Sequence, residues 1–110
     1  MVPVAEDAAD EVDGSVEIID PRTIYPLDID TIIDSVEKTG RAVVLHEAQK
    51  SGGWGAEISS RIQEEAILHL KAPVKRVTAP DVPYPLYTLE DFYMPNKKQA
   101  IKGLKDALNF

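Results

Sequence analysis

The sequence predicts an α/β fold with three layers (α/β/α), in which helices cover both faces of a mostly parallel sheet. Segments rich in β-branched residues alternate along the chain with segments of helical periodicity, which is typical of this class. The segment "RAVVLHE" (41–47) is almost continuously apolar at its centre, as expected of a strand covered on both faces. We expect a single domain over residues 1–110, because a chain of 110 residues can build one hydrophobic core.

The chain is predicted to begin with a short helix and a strand. The helix is indicated by a group of small and apolar residues: Val4, Ala5, Ala8, Ala9 and Val12. The β-branched run Val16–Asp20 predicts a strand that Pro21 ends, because proline cannot donate to a ladder. A doubly wound unit normally starts with a strand, so we expect this chain to lack the first strand of its fold.

The next helix carries the clearest signals. Its apolar stripe has the spacing of one helical face and consists of Ile29, Ile32, Ile33 and Val36. Asp28 is the expected N-cap, and Lys38 with Gly40 marks the end. The strand Arg41–Glu47 that follows is expected to be central and parallel.

The second half predicts a helix, a strand, an extended connector and a last helix. The first of these helices has a stripe spaced by four, Ile58, Ile62, Ala66 and Leu70, and is expected to stop at Ala72 and Pro73. A strand is predicted over Val74–Thr78, and three prolines within Pro80–Pro85 predict a stiff strap. The last helix is expected to start at Asn96 and to bury Ile101, Leu104 and Leu108.

The composition restricts the classes of function. Twelve basic and nineteen acidic residues give a net charge of −7, which repels nucleic acid and anionic membranes and favours a basic partner. No apolar run approaches the roughly 20 residues of a membrane span. The absence of cysteine excludes disulfides, thiolate metal sites and a cysteine nucleophile. Without the pattern of a signal peptide at its start, the chain is expected to be cytoplasmic.

The glycine-rich turn "SGGWGAE" (51–57) lies between a strand and a helix, where a phosphate loop would lie. It matches neither of the two common nucleotide-binding glycine patterns, and Trp54 would crowd a phosphate. The simpler interpretation is that Gly52, Gly53 and Gly55 allow a tight turn. Trp54 is then either a lid over the local core or an exposed anchor for another subunit.

His46 and Glu47 end a strand, so their side chains are expected to point to opposite faces and cannot form one acid/base pair. His46 is either a general base or, as we favour, a structural histidine. No serine lies in a nucleophile elbow, and the carboxylates lack the spacing of a calcium loop. We therefore predict no catalytic, cofactor-binding or metal-binding residue in this chain.

Three quoted stretches carry a family resemblance: "VEIIDPRTIYPLDIDTIIDSVEKTGRAVVLHEAQKSGGWGAEI", "APVKRVTAPDVPYP" and "MPNKKQAIKGL". They resemble the C-terminal domain, of the transketolase C-terminal type, of the beta subunit of thiamine-diphosphate-dependent 2-oxo acid dehydrogenases. These enzymes are the decarboxylating components of the pyruvate and branched-chain 2-oxo acid (2-oxoisovalerate) complexes. The resemblance implies a three-layer domain with a five-stranded mixed sheet and a chain truncated before its first helix.

The resemblance also implies partners and cofactors. The parent would be an oxidoreductase, a heterotetramer that uses thiamine diphosphate and magnesium to decarboxylate a 2-oxo acid and to transfer the acyl group to lipoyl-lysine. The pyrimidine-binding domain of the beta subunit and the magnesium motif of the alpha subunit have no counterpart here, so the fragment alone is expected to be inactive. Substrate choice, between pyruvate and a branched-chain acid, would reside in those missing parts.

The resemblance makes this chain an assembly domain. Its expected partners are the alpha subunit, a second beta subunit and the basic subunit-binding domain of the dihydrolipoyl acyltransferase core. The interface candidates are His46, Glu47, Trp54 and, at the end of the chain, Phe110. The alternative is a free-standing flavodoxin-like domain that binds a small anionic ligand at its strand ends, which the negative charge disfavours.

Overall fold

The computed structural model describes residues 1–110 and places helices on both sides of a small parallel sheet, which confirms the three-layer α/β/α class. The helices are α1 (Val2–Ala9), α2 (Ile29–Thr39), α3 (Trp54–Ala66), α4 (Glu90–Tyr93) and α5 (Lys97–Leu108). The strands are β1 (Val43–Gln49) and β2 (Lys75–Ala79), and short 3-10 turns cover Ile67–His69 and Tyr87–Leu89. Helices α2 and α3 pack together on one face of the sheet, and α1 and α5 pack together on the other.

Helix α2 has the ends that the sequence predicts. The Asp28 carboxylate accepts hydrogen bonds from the Thr31 amide at 3.2 Å and the Thr31 hydroxyl at 2.7 Å, which lower the pKa of Asp28. Gly40 adopts a left-handed φ of 75° and donates its amide to the Val36 carbonyl at 2.7 Å. The buried face consists of Ile29, Ile32 and Val36, and it joins a core with Ile58, Ile62 and Ala66 of α3.

The sheet is smaller than the sequence and the resemblance predict. Strands β1 and β2 are parallel, with Val43 opposite Lys75 and Leu45 opposite Val77, so the predicted parallel pair is confirmed. However, β1 pairs with β2 alone, and the prediction that it is central is wrong for this sheet of two strands. The predicted strand Val16–Asp20 is also wrong, because this segment makes no backbone hydrogen bond to another segment.

Two helices differ from prediction in detail. Helix α3 ends at Ala66 and not at Ala72, because the chain tightens into the 3-10 turn that follows. Helix α5 has the expected cap, in which Asn96 and Gln99 exchange hydrogen bonds at 3.1 and 3.0 Å. Its buried face is not the expected stripe of Ile101, Leu104 and Leu108, but the small residues Ala100, Gly103 and Ala107.

The reason is the close approach of α5 to the sheet. A Cβ added to Gly103 would lie 2.6 Å from the Val77 Cγ2 atom, so only small side chains fit beneath the helix axis. The larger leucines are displaced to its flanks, where they are half-buried. None of the helices in the structure is long and apolar enough to cross a bilayer.

Candidate interface site

The turn between β1 and α3 is closed by glycines, as the simpler interpretation predicts. Gly52 has a left-handed φ of 70°, and Gly53 is the N-cap of α3. A Cβ at Gly53 would collide with the Gln49 carbonyl oxygen and lie 2.9 Å from the His46 Cε1 atom. Gly52 is therefore needed for its backbone conformation, and Gly53 is needed for close packing.

His46 points from β1 towards the start of α3. Its ring lies against Gly55, where an added Cβ would be 2.6 Å from the His46 Cδ2 atom, and its Nε2 atom is buried without a hydrogen-bond partner. Burial and, to a smaller extent, the positive charge of Arg76 lower the pKa of His46. The ring is therefore neutral at pH 7 and packs as a structural side chain.

Glu47 lies on the opposite face of β1, which confirms that the two neighbouring side chains do not form a pair. Its side chain is exposed, and its carboxylate is 4.0 Å from the N-terminal ammonium of Met1. An exposed ion pair of this length contributes little to stability. No proton relay between His46 and Glu47 is possible in this geometry.

A network that the sequence did not indicate holds the turn against the strap that follows β2. The Asp81 carboxylate accepts hydrogen bonds from the Ser51 amide at 2.7 Å and the Ser51 hydroxyl at 2.8 Å, which lower the pKa of Asp81. Gln49 Nε2 donates to the Val82 carbonyl at 2.7 Å. The position of Asp81, two residues after the end of β2, was the available signal, because the carboxyl ends of parallel strands meet at one edge of a sheet.

Trp54 lies at the edge of the hydrophobic core. It is half-buried and packs against the core between α2 and α3, and it also lines an open hollow beside β1. A partly exposed tryptophan at the edge of a core can contact a neighbouring subunit. Its role as an interface residue, like those of His46, Glu47 and Phe110, stays a prediction.

The turn does not fit the phosphate groups of a cofactor such as thiamine diphosphate. Glu57 places a negative charge in the first turn of α3, where an anion would bind to the helix, and Trp54 occupies the first helical position. No group of three or more His, Cys, Asp or Glu side chains is arranged to hold a metal ion.

A second surface that the sequence analysis missed follows the strap. Four side chains there are largely exposed and apolar, and we call them the strap surface: Leu86 (87%), Tyr87 (90%), Leu89 (55%) and Phe92 (85%). The segment is held in place by Tyr84, whose ring meets the Tyr93 ring edge to face at 4.9 Å. The Tyr84 hydroxyl donates to the Glu90 carboxylate, which raises the pKa of Tyr84 to about 12. This anchoring presents apolar side chains to solvent on an ordered segment.

The chain terminus is also exposed. Phe110 is 74% exposed, and the last backbone bond of α5 runs from the Asn109 amide to the Lys105 carbonyl at 2.9 Å. The last residue is accordingly exposed for most of its surface.

Comparison with known proteins places this chain in a family. The sequence profile of the family "Transketolase, C-terminal domain" matches residues 1–100, and the chain belongs to that family. A solved structure described as "Split gene transketolase, inactive beta4 tetramer" has the same fold, with a TM-score of 0.80 over 97% of this chain and 35% of that one, at 23% identity.

The relatives within that class are more specific. The chain is 50% identical, over its whole length, to the pyruvate dehydrogenase E1 component subunit beta of Staphylococcus epidermidis and to that of Staphylococcus aureus. It spans 35% of the length of each of these relatives. The resemblance seen in the sequence is thereby confirmed.

The buried His46 ring predicts a pH dependence of stability. The pKa of this histidine is lowered from 6.5 in the folded state, so the unfolded state binds more protons as the pH falls. We expect the free energy of unfolding to decrease as the pH drops below 6.5, until the pH passes the lower folded pKa. Between pH 6.5 and about 5, His46→Gln should lose less stability than the wild-type chain, and the difference should be less than about 1 kcal/mol. Carboxylates do not yet titrate in this range.

Urea denaturation, followed by circular dichroism at pH values from 6.5 to about 5, measures this difference in stability. His69→Gln is the matched control, because His69 is exposed in the 3-10 turn after α3, where its Nδ1 atom lies 3.6 Å from the Glu37 carboxylate. A decrease in stability that is the same in the wild-type chain and in His46→Gln would contradict the prediction.

Proposed function

We propose that this chain is an assembly domain of a pyruvate dehydrogenase E1-type beta subunit. In this proposal the parent enzyme uses thiamine diphosphate and magnesium to decarboxylate a 2-oxo acid in the cytoplasm, and it transfers the acyl group to lipoyl-lysine. The 50% identity to E1 beta subunits, of which the chain spans 35%, supports a part of such an enzyme. The neutral, packed His46 and the exposed Glu47 support a structural role for this part, so the chain alone is expected to be inactive.

The observation that carries the proposal is the strap surface. Its four side chains are apolar, close in sequence and all more than half exposed, although hydrogen bonds and ring packing hold the segment. Contiguous exposed apolar patches on a folded domain are typical of protein interfaces. We infer that this surface contacts the alpha subunit or a second beta subunit. The related fold described as a β4 tetramer supports contacts between beta-type chains.

A chimera tests this assignment. In it, our chain replaces the matching 35% of the Staphylococcus epidermidis beta subunit, and the protein is produced with its alpha subunit. Leu86→Ser with Phe92→Ser should weaken assembly at least about tenfold, because exposed aromatic and aliphatic anchors contribute most to interfaces. Stability of the chain itself should change by no more than about 0.5 kcal/mol.

Leu68→Ser is the matched control for this chimera. Leu68 is 94% exposed but precedes β2, so it lies at the opposite end of the sheet from the strap. Analytical ultracentrifugation measures the assembled fraction. Assembly that is equally strong in all three proteins would show that the strap surface is not the contact.

The acyltransferase core is the second proposed partner. A net charge of −7 attracts a basic subunit-binding domain, and the exposed Phe110 carboxylate offers an acceptor for a charged hydrogen bond. Deletion of Asn109 and Phe110 should weaken binding of that domain by roughly 1.5 to 3 kcal/mol. Titration calorimetry at two salt concentrations measures the loss. Equal affinity before and after the deletion would remove the terminus from the contact.

A further inference from the structure

The loop that leads into α2 presents an arginine and two large apolar side chains to solvent. The Arg22 side chain is 84% exposed, and Ile24 and Tyr25 are 63% and 92% exposed. We call these three residues the Arg22 tip. Arginine and tyrosine are enriched among the residues that contribute most to protein interfaces. The composition of the tip is therefore that of a protein contact.

Both ends of this loop are fixed to the body of the domain. Ile19 before the tip and Leu27 after it pack against the core between α2 and α3. The segment before the tip is also bonded to α2, because the Glu17 carboxylate accepts hydrogen bonds from the Ser35 hydroxyl at 3.1 Å and the Lys38 ammonium at 3.3 Å. The tip is thus exposed but held on either side by packed residues, so little conformational entropy remains to be lost when a partner binds.

Arg22 is the only residue other than glycine with a left-handed backbone. Its φ is 54°, a conformation that costs free energy for a residue with a Cβ atom. The Asp20 carboxylate holds it there, since it accepts hydrogen bonds from the Arg22 amide at 3.3 Å and from Arg22 Nε at 3.2 Å. Backbone strain of this kind is concentrated where a protein positions a side chain for binding or catalysis.

The guanidinium of Arg22 retains free donors. Its Nε atom donates to Asp20, whereas Nη1 and Nη2 donate to no acceptor in this structure. A partner that covers the tip removes water from these two nitrogens and must supply oxygen acceptors in exchange. Their parallel N–H groups match the two oxygens of a carboxylate. The acceptor that fits best is therefore an aspartate or glutamate side chain.

A protein surface fits the tip better than a free phosphate or a nucleic acid. Arg22 is the only basic residue within residues 14–28, which also contain three acidic residues that repel a phosphate. In addition, a small anion would leave Ile24 and Tyr25 in water. A protein surface would cover these two side chains together with the guanidinium.

We propose that the Arg22 tip binds a neighbouring chain, in which a carboxylate pairs with Arg22 and apolar side chains around it cover Ile24 and Tyr25. This contact rests on the proposed function, because an assembly domain has such neighbours. It is distinct in chemistry from the strap surface, since no basic residue lies between Arg76 and Lys97. The domain thus carries two separate contacts, one cationic and one without a cation.

Arg22→Gly in the chimera with the Staphylococcus epidermidis beta subunit tests this contact. Glycine adopts a φ of 54° without strain, so the Tm of the variant 110-residue chain should be no lower than that of the wild type. Loss of the guanidinium should weaken assembly with the alpha subunit at least about tenfold. Arg22→Lys keeps the charge but not the parallel donors, so it should weaken assembly by a smaller factor. Circular dichroism measures Tm, and analytical ultracentrifugation measures assembly.

Thr23→Gly is the matched control, because it loosens the same exposed loop and leaves the guanidinium in place. It should assemble as tightly as the wild-type chimera. Equal assembly of Arg22→Gly and the wild type, or equal weakening by Thr23→Gly, would overturn the proposal. Weaker assembly of Arg22→Gly together with a lower Tm would give Arg22 a structural role only, and would also overturn it. A wild-type chimera that does not assemble would contradict the proposed function, and this contact with it.

Discussion

Gly53→Ala is expected to reduce the free energy of unfolding by about 3 kcal/mol, the upper part of the range for overpacked sites. The added Cβ would meet the Gln49 carbonyl oxygen, which belongs to the backbone of β1 and cannot rotate away, and it would also press on the His46 ring. Relief requires the start of α3 to move from β1. Urea denaturation monitored by far-ultraviolet circular dichroism measures the loss.

Gly52→Ala separates close packing from backbone strain. An added Cβ at Gly52 meets no atom within 4 Å, but the residue has a φ of 70°. We expect a cost of about 1 kcal/mol, that of a side chain in the left-handed region. If Gly53→Ala costs no more than Gly52→Ala, the turn is not closed by close packing of Gly53 against β1.

Ile62→Ala is expected to have the second large effect, a loss of about 2 to 5 kcal/mol. Ile62 is 1% exposed and lies in the core between α2 and α3, so its truncation removes buried apolar surface and leaves a cavity. Such a loss is a large fraction of the stability of a domain of this size. Thermal and urea denaturation measure it.

Ile67→Ala is the matched control, since Ile67 follows the same helix but is 56% exposed. Its truncation should change stability by no more than about 0.5 kcal/mol. Similar losses for the two variants would mean that the cluster between α2 and α3 is not the main core.

The structure shows which features can be predicted from local sequence. Helix α2 was predicted with its cap, its buried face and its end, because Asp28, the isoleucine stripe and Gly40 act over only a few residues. The tight glycine turn was predicted for the same reason. Val16–Asp20 was predicted as a strand and is not one, because a strand exists only with a partner, and residue propensity contains no information on the partner.

Features that depend on distant residues were missed. Small residues form the buried face of α5 because this helix lies close to Val77. The sequence of the helix contains no information on that close approach. Likewise, Asp81 holds Ser51 from 30 residues away. The strap surface was missed because the three prolines predict a stiff segment but do not predict which of the side chains after it are exposed.

The central claim is that this chain is an assembly domain of a pyruvate dehydrogenase E1-type beta subunit. The most direct test is the oxidative decarboxylation of pyruvate by the chimera that carries our chain in the Staphylococcus epidermidis beta subunit, assembled with its alpha subunit and acyltransferase core. We expect an assembled enzyme with activity within about tenfold of the parent, because a domain that serves assembly changes the reaction only through its contacts. A chimera that folds but remains unassembled and inactive would show that this chain is not an assembly domain of such a subunit.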